Sequence, residues 1–251
     1  MFSFFQKKVF LKDHLNGLVD IHNHILPGID DGAATVEDSL ALIKMFSELG
    51  ITEFIATPHV MNDYYPNTPE TVHKALEEVK LALPEAGLNN IKIKAAAEYM
   101  MDQSFLEIIE KEKLLTVAEN FVLVEMSYFQ APINLNEILF QIQTKKYQPI
   151  LAHPERYAFY HSKDLIKYEE LKDRGCLFQL NLLSITGHYG KNIQETAFQL
   201  LDRNMIDFIG TDTHQMRHLD KLLEIKMSEK RIDQLKPIFR RTTETFKPFF
   251  D

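Results

Sequence analysis

Residues 18–24 read Leu-Val-Asp-Ile-His-Asn-His, a short apolar run that ends in polar side chains. Residues 35–49 follow, and their apolar positions recur at intervals of three and four, which is typical of an amphipathic helix. Glu37 and Asp38 lie in the first turn of this stretch, where acidic side chains complement the positive end of the helix dipole. The opening of the chain therefore predicts a buried strand followed by a helix.

The same rhythm of strand and helix continues along the chain. The further apolar runs that predict strands occupy residues 54–56, 91–97, 121–124, 149–152, 177–180 and 208–210. The further amphipathic stretches that predict helices occupy residues 69–83, 134–145, 164–174 and 193–203. Seven alternations of this kind predict an α/β fold, in which parallel strands are joined by helical crossovers.

A distorted (β/α)7 barrel is favoured over an open sheet. Polar candidates for a site follow nearly every predicted strand, whereas an open sheet gathers its site at one switch point. We expect the active site at the C-terminal ends of the strands and a single domain over residues 1–251. Apolar residues in 232–249 predict a helical tail that packs on the barrel.

Composition excludes several classes of protein. A formal net charge of −8 argues against a general nucleic-acid binder, although local positive charge can still hold a phosphorylated substrate. No apolar run reaches the length of a membrane span, and the N-terminus does not resemble a signal peptide, so we expect a cytoplasmic protein. Cys176 is the single cysteine, and a cysteine phosphatase is excluded because Leu182 stands where its arginine would be.

Two histidines at the end of the first strand form the first candidate site. His22 and His24 lie two residues apart, so on an extended chain both imidazoles project to the same side. An isolated His-x-His motif is more often two surface histidines. Here a turn-rich loop that carries acids follows the pair and ends at Asp31, which favours metal ligands.

Further histidines and carboxylates occupy equivalent positions. His59 and His153 each lie beside a proline at a strand end, and either alone could equally be a capped turn histidine. A carboxylate that ends an apolar run is costly unless it is paired or binds a metal. The remaining candidates share such positions: Glu98, Glu125, Asp212 and His214. Nine such residues are improbable as independent surface residues, so the joint pattern predicts a metal-dependent hydrolase.

Nine ligands are too many for one ion, so two or three divalent ions are expected. Imidazole and carboxylate ligands without thiolate suit manganese, iron or zinc, and availability decides among them. Manganese is the expected ion, with iron and zinc as alternatives. Asp31, Glu98, Glu125 and Asp212 carry four negative charges. Two divalent ions would leave the site near neutral, whereas three would leave about two positive charges and favour a phosphate ester.

These motifs resemble the polymerase-and-histidinol-phosphatase (PHP) superfamily over residues 18–218. Within it they are most similar to the metal-dependent tyrosine-protein phosphatases of capsule and exopolysaccharide loci, the CpsB/YwqE type. Two segments carry this similarity, His-x-His-x-x-Pro-Gly-x-Asp-Asp-Gly at 22–32 and His-Pro-Glu-Arg-Tyr at 153–157. The resemblance implies hydrolysis of protein phosphotyrosine at a centre of three ions, and a tyrosine kinase of polysaccharide export as the partner.

The resemblance also implies a role for each ligand. His22, His24, Glu98 and Asp212 would hold one ion; Glu98, Glu125 and His153 a second; and Asp31, His59 and His214 a third. Arg156 matches an arginine that contacts phosphate, and Asp212 and His214 would act with it in catalysis. Arg217 lies three residues beyond His214, closer than the second arginine of the family pattern.

Two other functions are compatible with the same residues. One is a small-molecule phosphatase, for which histidinol phosphate is the known substrate elsewhere in the superfamily. The other is a non-enzymatic barrel whose metal site regulates or scaffolds a partner. The complete ligand set ranks this scaffold below both enzymes.

Overall fold

Short strands alternate with helices in a computed structural model that describes residues 7–250. The strands are β1 (Lys8–Phe10), β2 (Val19–Asp20), β3 (Glu53–Ala56), β4 (His59–Val60), β5 (Lys92–Ala95), β6 (Glu98–Met100), β7 (Phe121–Glu125), β8 (Gln148–Ala152), β9 (Leu177–Asn181), β10 (Phe208–Gly210) and β11 (Lys226–Ser228). The helices are α1 (Val36–Glu48), α2 (Pro69–Ala82), α3 (Gln103–Lys111), α4 (Leu135–Thr144), α5 (Ile166–Asp173), α6 (Lys191–Asp202), α7 (Met216–Glu224) and α8 (Glu229–Phe246). Each predicted strand and helix overlaps an observed one.

The strands β2 to β10 pair in parallel, which confirms an α/β fold built on parallel strands. They form two groups, ordered β2-β3-β5 and β10-β9-β8-β7-β6-β4. Two backbone bonds, Ala96 N–H to Ala56 O at 2.8 Å and Glu98 N–H to Pro58 O at 3.0 Å, continue the pairing from one group into the other. Residues 53–60 and 92–100 are therefore two bent strands that run side by side.

The chain segments that follow the first and the last of these strands also meet. Asn23 and Thr213 form a parallel β-bridge. His24 N–H donates to Thr213 O at 2.9 Å, and Asp212 N–H donates to His22 O at 2.7 Å. The chain segments that carry the predicted ligands at its two ends thus lie beside each other.

The bends explain one difference from the expected pattern. We predicted one strand over 91–97 with Glu98 after its end, but the structure has two strands, and Glu98 opens the second. The neighbouring strand is interrupted in the same way between β3 and β4, where Pro58 has no N–H to donate to the sheet. The break moves Glu98 inward, where the residue is fully buried.

Helix α8 overlaps the segment that was predicted as a helical tail. Ser228 caps its first turn by accepting from Arg231 N–H at 3.4 Å. Phe246 is fully buried, and its ring lies 4.9 Å from that of Phe208 and 5.9 Å from that of Phe121. The tail helix therefore covers the end of the parallel strands opposite to the predicted ligands. Among residues 7–250 no helix has the length and apolar character that a membrane crossing needs.

The antiparallel pair of β1 and β11 was not predicted. Lys8 lies opposite Ser228 and Phe10 opposite Lys226, more than 200 residues apart in the sequence. Both strands have three residues and carry charges, so neither shows an apolar alternation that would reveal it.

Candidate metal centre

All nine predicted ligands converge at one end of the parallel strands. Contacts of 2.9 to 3.5 Å between imidazole nitrogens and carboxylate oxygens join them into one connected cluster, through the pairs His22–Glu98, His153–Glu98, His59–Glu98, His22–Asp212, His24–Asp212, His59–Glu125, His59–Asp31 and His214–Asp31. Six of the nine are almost fully buried, and Asp31 has the most exposed side chain at 53%. Residues 22 to 214 of the chain thus supply one site.

Donor atoms in this cluster gather into four groups, each with all atoms within 4.8 Å of one another. The groups are His24, Asp31, His59 and His214; His22, His24 and Asp212; His22, Glu98 and His153; and His59, Glu98 and Glu125. The first two contain most of the ligand sets that the family resemblance implies. In the third group His153 lies with Glu98, and in the fourth group His59 lies with Glu98 and Glu125. The implied set of Glu98, Glu125 and His153 is therefore not one of the groups that residues 7–250 form.

Unpartnered buried atoms show that the cluster suits cations. His59 Nδ1 lies 2.9 Å from Glu125 Oε1 and 3.2 Å from Glu98 Oε2, but none of these three buried atoms makes a hydrogen bond of acceptable geometry. A buried carboxylate oxygen without a partner costs free energy comparable to a lost charged hydrogen bond. All three atoms belong to residues of one donor group, so a divalent ion placed among them would satisfy them together.

Strong pairing shifts the protonation equilibria of the cluster. Burial lowers the pKa of His59, but the charges of Glu125 and Glu98 outweigh this and raise it to about 9. Burial likewise opposes ionisation of Asp212, yet His22 and His214 hold its pKa well below the ordinary range. When no ion is bound, the neighbouring carboxylates therefore favour the protonated forms of His22, His24 and His59. Metal binding must release these protons, as ligands have to be deprotonated.

The backbone holds two ligand residues in the left-handed region. His153 has φ of 36° and Asp212 has φ of 50°, which cost of order 1 kcal/mol each in a non-glycine residue. Gly210 lies just before the second of them, and a Cβ there would come within 2.5 Å of His22 Cβ and 2.8 Å of Gln179 Nε2. The glycine is needed because the first and last strands approach so closely.

Sequence reasoning missed three side chains that orient the ligands. Gln179 Oε1 accepts from His22 Nδ1 at 2.7 Å, and Asp30 Oδ2 accepts from His24 Nδ1 at 2.8 Å. Asp20 Oδ2 accepts from the hydroxyl of Thr211, 191 residues away, at 2.7 Å. Asp30 could have been predicted because it lies beside Asp31 in the acidic loop, whereas nothing in the sequence around Gln179 marks it.

Replacing Gln179 by alanine is expected to weaken metal binding by about 10- to 100-fold, the usual cost of losing a partner behind a ligating histidine. With Nδ1 donating to Gln179, His22 presents Nε2 to Glu98 and Asp212 at 3.2 and 3.4 Å. Without that bond the ring can rotate or change tautomer. Competition with a chelator measures the affinity, and Gln194→Ala, which removes only a bond to Ile185 O, is the control. Equal affinities in both variants would contradict the prediction.

Arg156 lies at the edge of the cluster. Its guanidinium donates to Asp212 Oδ2 at 2.6 Å and lies between two aromatic rings, 4.7 Å from Tyr128 and 4.2 Å from Tyr189. Asn181 Nδ2 donates to the same carboxylate oxygen at 2.8 Å. Arg156 is therefore placed to contact an anion bound over the cluster, as the resemblance implies. Arg217 is exposed and does not line the cavity into which the cluster opens.

The raised pKa of Glu155, the residue before Arg156, predicts a pH dependence of stability. Burial raises its pKa to about 7 from 4.5, against hydrogen bonds from Ser184 and Asn181 that lower it. Between these values the folded chain keeps a proton that the unfolded chain releases. Stability therefore falls as pH rises through this window, by about 3 kcal/mol in total.

Glu155→Gln is expected to remove this dependence, because glutamine keeps the acceptor and stays neutral. The free energy of unfolding of the variant relative to the natural protein should rise between pH 5 and pH 7 and then level off. Urea unfolding at several pH values measures it, with the exposed Glu78→Gln as control. A difference that is constant with pH would refute the shifted pKa.

The cluster opens into a cavity of about 830 Å³. Its floor contains His59, Glu125, His153, Arg156 and Asp212. Its rim includes residues 61–65, which follow β4, and residues 127–134, which follow β7. The cavity is large enough for a substrate that carries an aromatic ring.

Comparisons with known proteins agree on one group of relatives. Residues 18–235 match the model of a family described as capsular polysaccharide synthesis, CpsB/CapC. A putative tyrosine-protein phosphatase CapC from Staphylococcus aureus is 30% identical over 219 residues, covering 86% of this chain and 84% of the relative. The tyrosine-protein phosphatase YwqE from Bacillus subtilis is 30% identical over 206 residues, covering 80% and 78%.

Solved structures give the same result. Crystal structures of YwqE from Bacillus subtilis and CpsB from Streptococcus pneumoniae, described as unique metal-dependent tyrosine phosphatases, include a chain that matches with a TM-score of 0.76 at 25% identity, covering 92% of both chains. A lactonase from Listeria monocytogenes matches with a TM-score of 0.54 at 12% identity, covering 94% of this chain and 93% of that one. This second likeness concerns the fold alone.

Proposed function

This chain belongs to the CpsB/CapC family, and on that premise we propose that it is a metal-dependent phosphatase of protein phosphotyrosine. The observation that carries the proposal is the cluster of nine ligands with unpartnered buried atoms, at the floor of a cavity that also holds Arg156. The names of the relatives and of the matching structures support the same activity.

We propose three ions, with Glu98 between two of them. Support comes from Glu98 Oε2, which lies 3.2 Å from both His22 Nε2 and His59 Nδ1, while its Oε1 lies 3.1 Å from His153 Nε2. We retain the ligand sets His22, His24, Glu98 and Asp212; Glu98, Glu125 and His153; and Asp31, His59 and His214. Manganese is the proposed ion and iron or zinc the alternative, since the donors are imidazoles and carboxylates without thiolate.

When bound, such ions lower the pKa of coordinated water and neutralise charge on phosphoryl oxygens. The chain's own part is to bind and orient the ester. Arg156 would exchange its bond to Asp212 for bonds to phosphate oxygens, which its planar fork suits. Tyr128 and Tyr189 keep the guanidinium between their rings during this exchange. A tyrosyl leaving group with a pKa of about 10 needs little proton donation compared with an alkyl alcohol.

We further propose that the nine parallel strands act as a closed, distorted seven-stranded barrel in one domain. The bent strands 53–60 and 92–100 count as one strand each, and the bridge of Asn23 with Thr213 supports closure. In such barrels the loops after the strands build the active site, and here each ligand lies at or just after a strand.

The proposed partner is a tyrosine kinase of polysaccharide export, supported by the capsule-related name of the family. Since phosphotyrosine is made from ATP, the proposed compartment is the cytoplasm. A small-molecule phosphatase such as a histidinol-phosphatase remains the alternative enzyme, and a metal-binding scaffold the non-enzymatic one.

One assay separates these functions. The purified protein is loaded with Mn²⁺ and offered a phosphotyrosine peptide and histidinol phosphate in parallel. We expect phosphate release from the peptide and loss of this release on chelation. Much faster turnover of histidinol phosphate would refute the proposed substrate, and bound metal without any hydrolysis would favour the scaffold.

A further inference from the structure

Exposed apolar side chains are concentrated at the mouth of the cavity. Eight large hydrophobic residues are exposed among those described, and four of the eight line this cavity: Tyr64, Tyr128, Phe129 and Ile133. Phe129 is 93% exposed and Ile133 is 99% exposed. We call these four residues the apolar lip. Clustering of such residues at one opening marks an interaction site, whereas scattered ones are ordinary.

Both sides of the lip are tied to the ligand cluster. Tyr64 belongs to the loop after β4, and Asn67 fixes that loop by donating to His59 O at 2.9 Å and Ile29 O at 2.7 Å. The opposite side is the loop after β7, the strand that ends in Glu125. The lip therefore lies on two loops that each lead directly from a strand bearing a predicted ligand.

We propose that the apolar lip binds apolar side chains that flank the phosphotyrosine of a substrate polypeptide, an inference that rests on the proposed function. Once the phosphorylated ring reaches toward Arg156, the main chain on both sides of it has to cross this mouth. Apolar flanking side chains then remove Phe129 and Ile133 from water, which is favourable in proportion to the area buried.

The negative charge at the mouth disfavours substrates with acidic residues beside the phosphotyrosine. Asp31, Asp63 and Asp102 lie around it, and Arg156 is the one lysine or arginine among the described residues that line the cavity. Because Arg156 is occupied by phosphate in a complex, acidic flanking residues would meet the like charge of Asp63 and Asp102 at the mouth. The lip therefore discriminates against them as well as for apolar ones.

The test compares three phosphotyrosine peptides of equal length, flanked on both sides by leucine, by glycine or by glutamate. With the Mn²⁺-loaded protein we expect kcat/KM to be about tenfold higher for the leucine peptide than for the glycine peptide, as for the burial of one apolar side chain. The glutamate peptide should be poorest. A Phe129→Ser, Ile133→Ser double variant should bring the leucine and glycine peptides close to parity, and Tyr64→Ser should act in the same direction.

Leu81→Ser is the matched control, because Leu81 is 77% exposed on α2 and does not line the cavity. It should keep the full preference for leucine. Turnover of all three peptides at equal kcat/KM would overturn this inference alone, whereas no turnover of any peptide would overturn the proposed function with it. A dimer or an association with lipid vesicles that Phe129→Ser abolishes would assign the lip to a second copy or a membrane instead.

Discussion

Replacing Glu98 by glutamine is expected to abolish both tight metal binding and phosphatase activity, with a loss in kcat/KM of at least about 10³-fold. The fully buried carboxylate contacts imidazoles of His22, His59 and His153 at 3.1 to 3.2 Å. Glutamine has nearly the same shape but no charge, so at least two proposed ions lose a shared ligand.

Metal analysis of the purified variant and turnover of a phosphotyrosine peptide measure the two losses. Ions that bind only the folded chain also raise its stability, by about 2.7 kcal/mol at a hundredfold excess over Kd. The rise in Tm on adding Mn²⁺ should therefore shrink in the variant. Glu77→Gln, at an exposed acid on α2 that pairs with Lys80, is the control. Full metal content and activity in Glu98→Gln would refute the proposed centre.

Replacing Arg156 by alanine is expected to lower kcat for phosphotyrosine peptides by about 10³-fold while the ions remain bound. Arg156 is the one lysine or arginine among the described residues that line the cavity, and Tyr128 and Tyr189 hold its guanidinium beside Asp212. Arg156→Lys should recover part of the loss, because lysine restores the charge but not the planar fork.

The two readouts separate a role in phosphate binding from a role in building the site. Retained metal with lost turnover supports the former, whereas loss of the ions would mean that Arg156 mainly supports Asp212. Arg217→Ala on the exposed surface of α7 is the control and should change turnover by less than about twofold. An Arg156→Ala enzyme with full activity would remove Arg156 from the proposed site.

The convergence of the predicted ligands can be read from the sequence because parallel strands end at a common edge. His22, His59, Glu125 and His153 all lie at or next to a strand end, and their convergence needs no knowledge of strand register. The side chains that orient them do depend on register. Gln179 reaches His22 only because β9 pairs with β10 at Gln179 and Phe208, which brings two distant segments together.

The contact between Arg156 and Tyr189 also could not be predicted from the sequence. Tyr189 stacks on Arg156 although 33 positions separate them in the numbering, and nothing in its neighbourhood marks it. Tyr128, three residues after Glu125, also lies against the guanidinium. The exact grouping of donors depends on side-chain rotamers, so the position of His59 beside Glu125 could not be read from strand ends either.

The pairing of Asn23 with Thr213 has a consequence for how the protein is made. The outermost ligands, His22 and His214, come from nearly opposite ends of the chain, so a ribosome has to release residue 214 before any nascent molecule can complete the centre. Contacts of such large sequence separation form late and slowly. Earlier intermediates would expose several half-built histidine and carboxylate groups to whatever cations are present. Supply of the correct ion is therefore best matched to the end of synthesis, when only the finished ring of ligands competes for it.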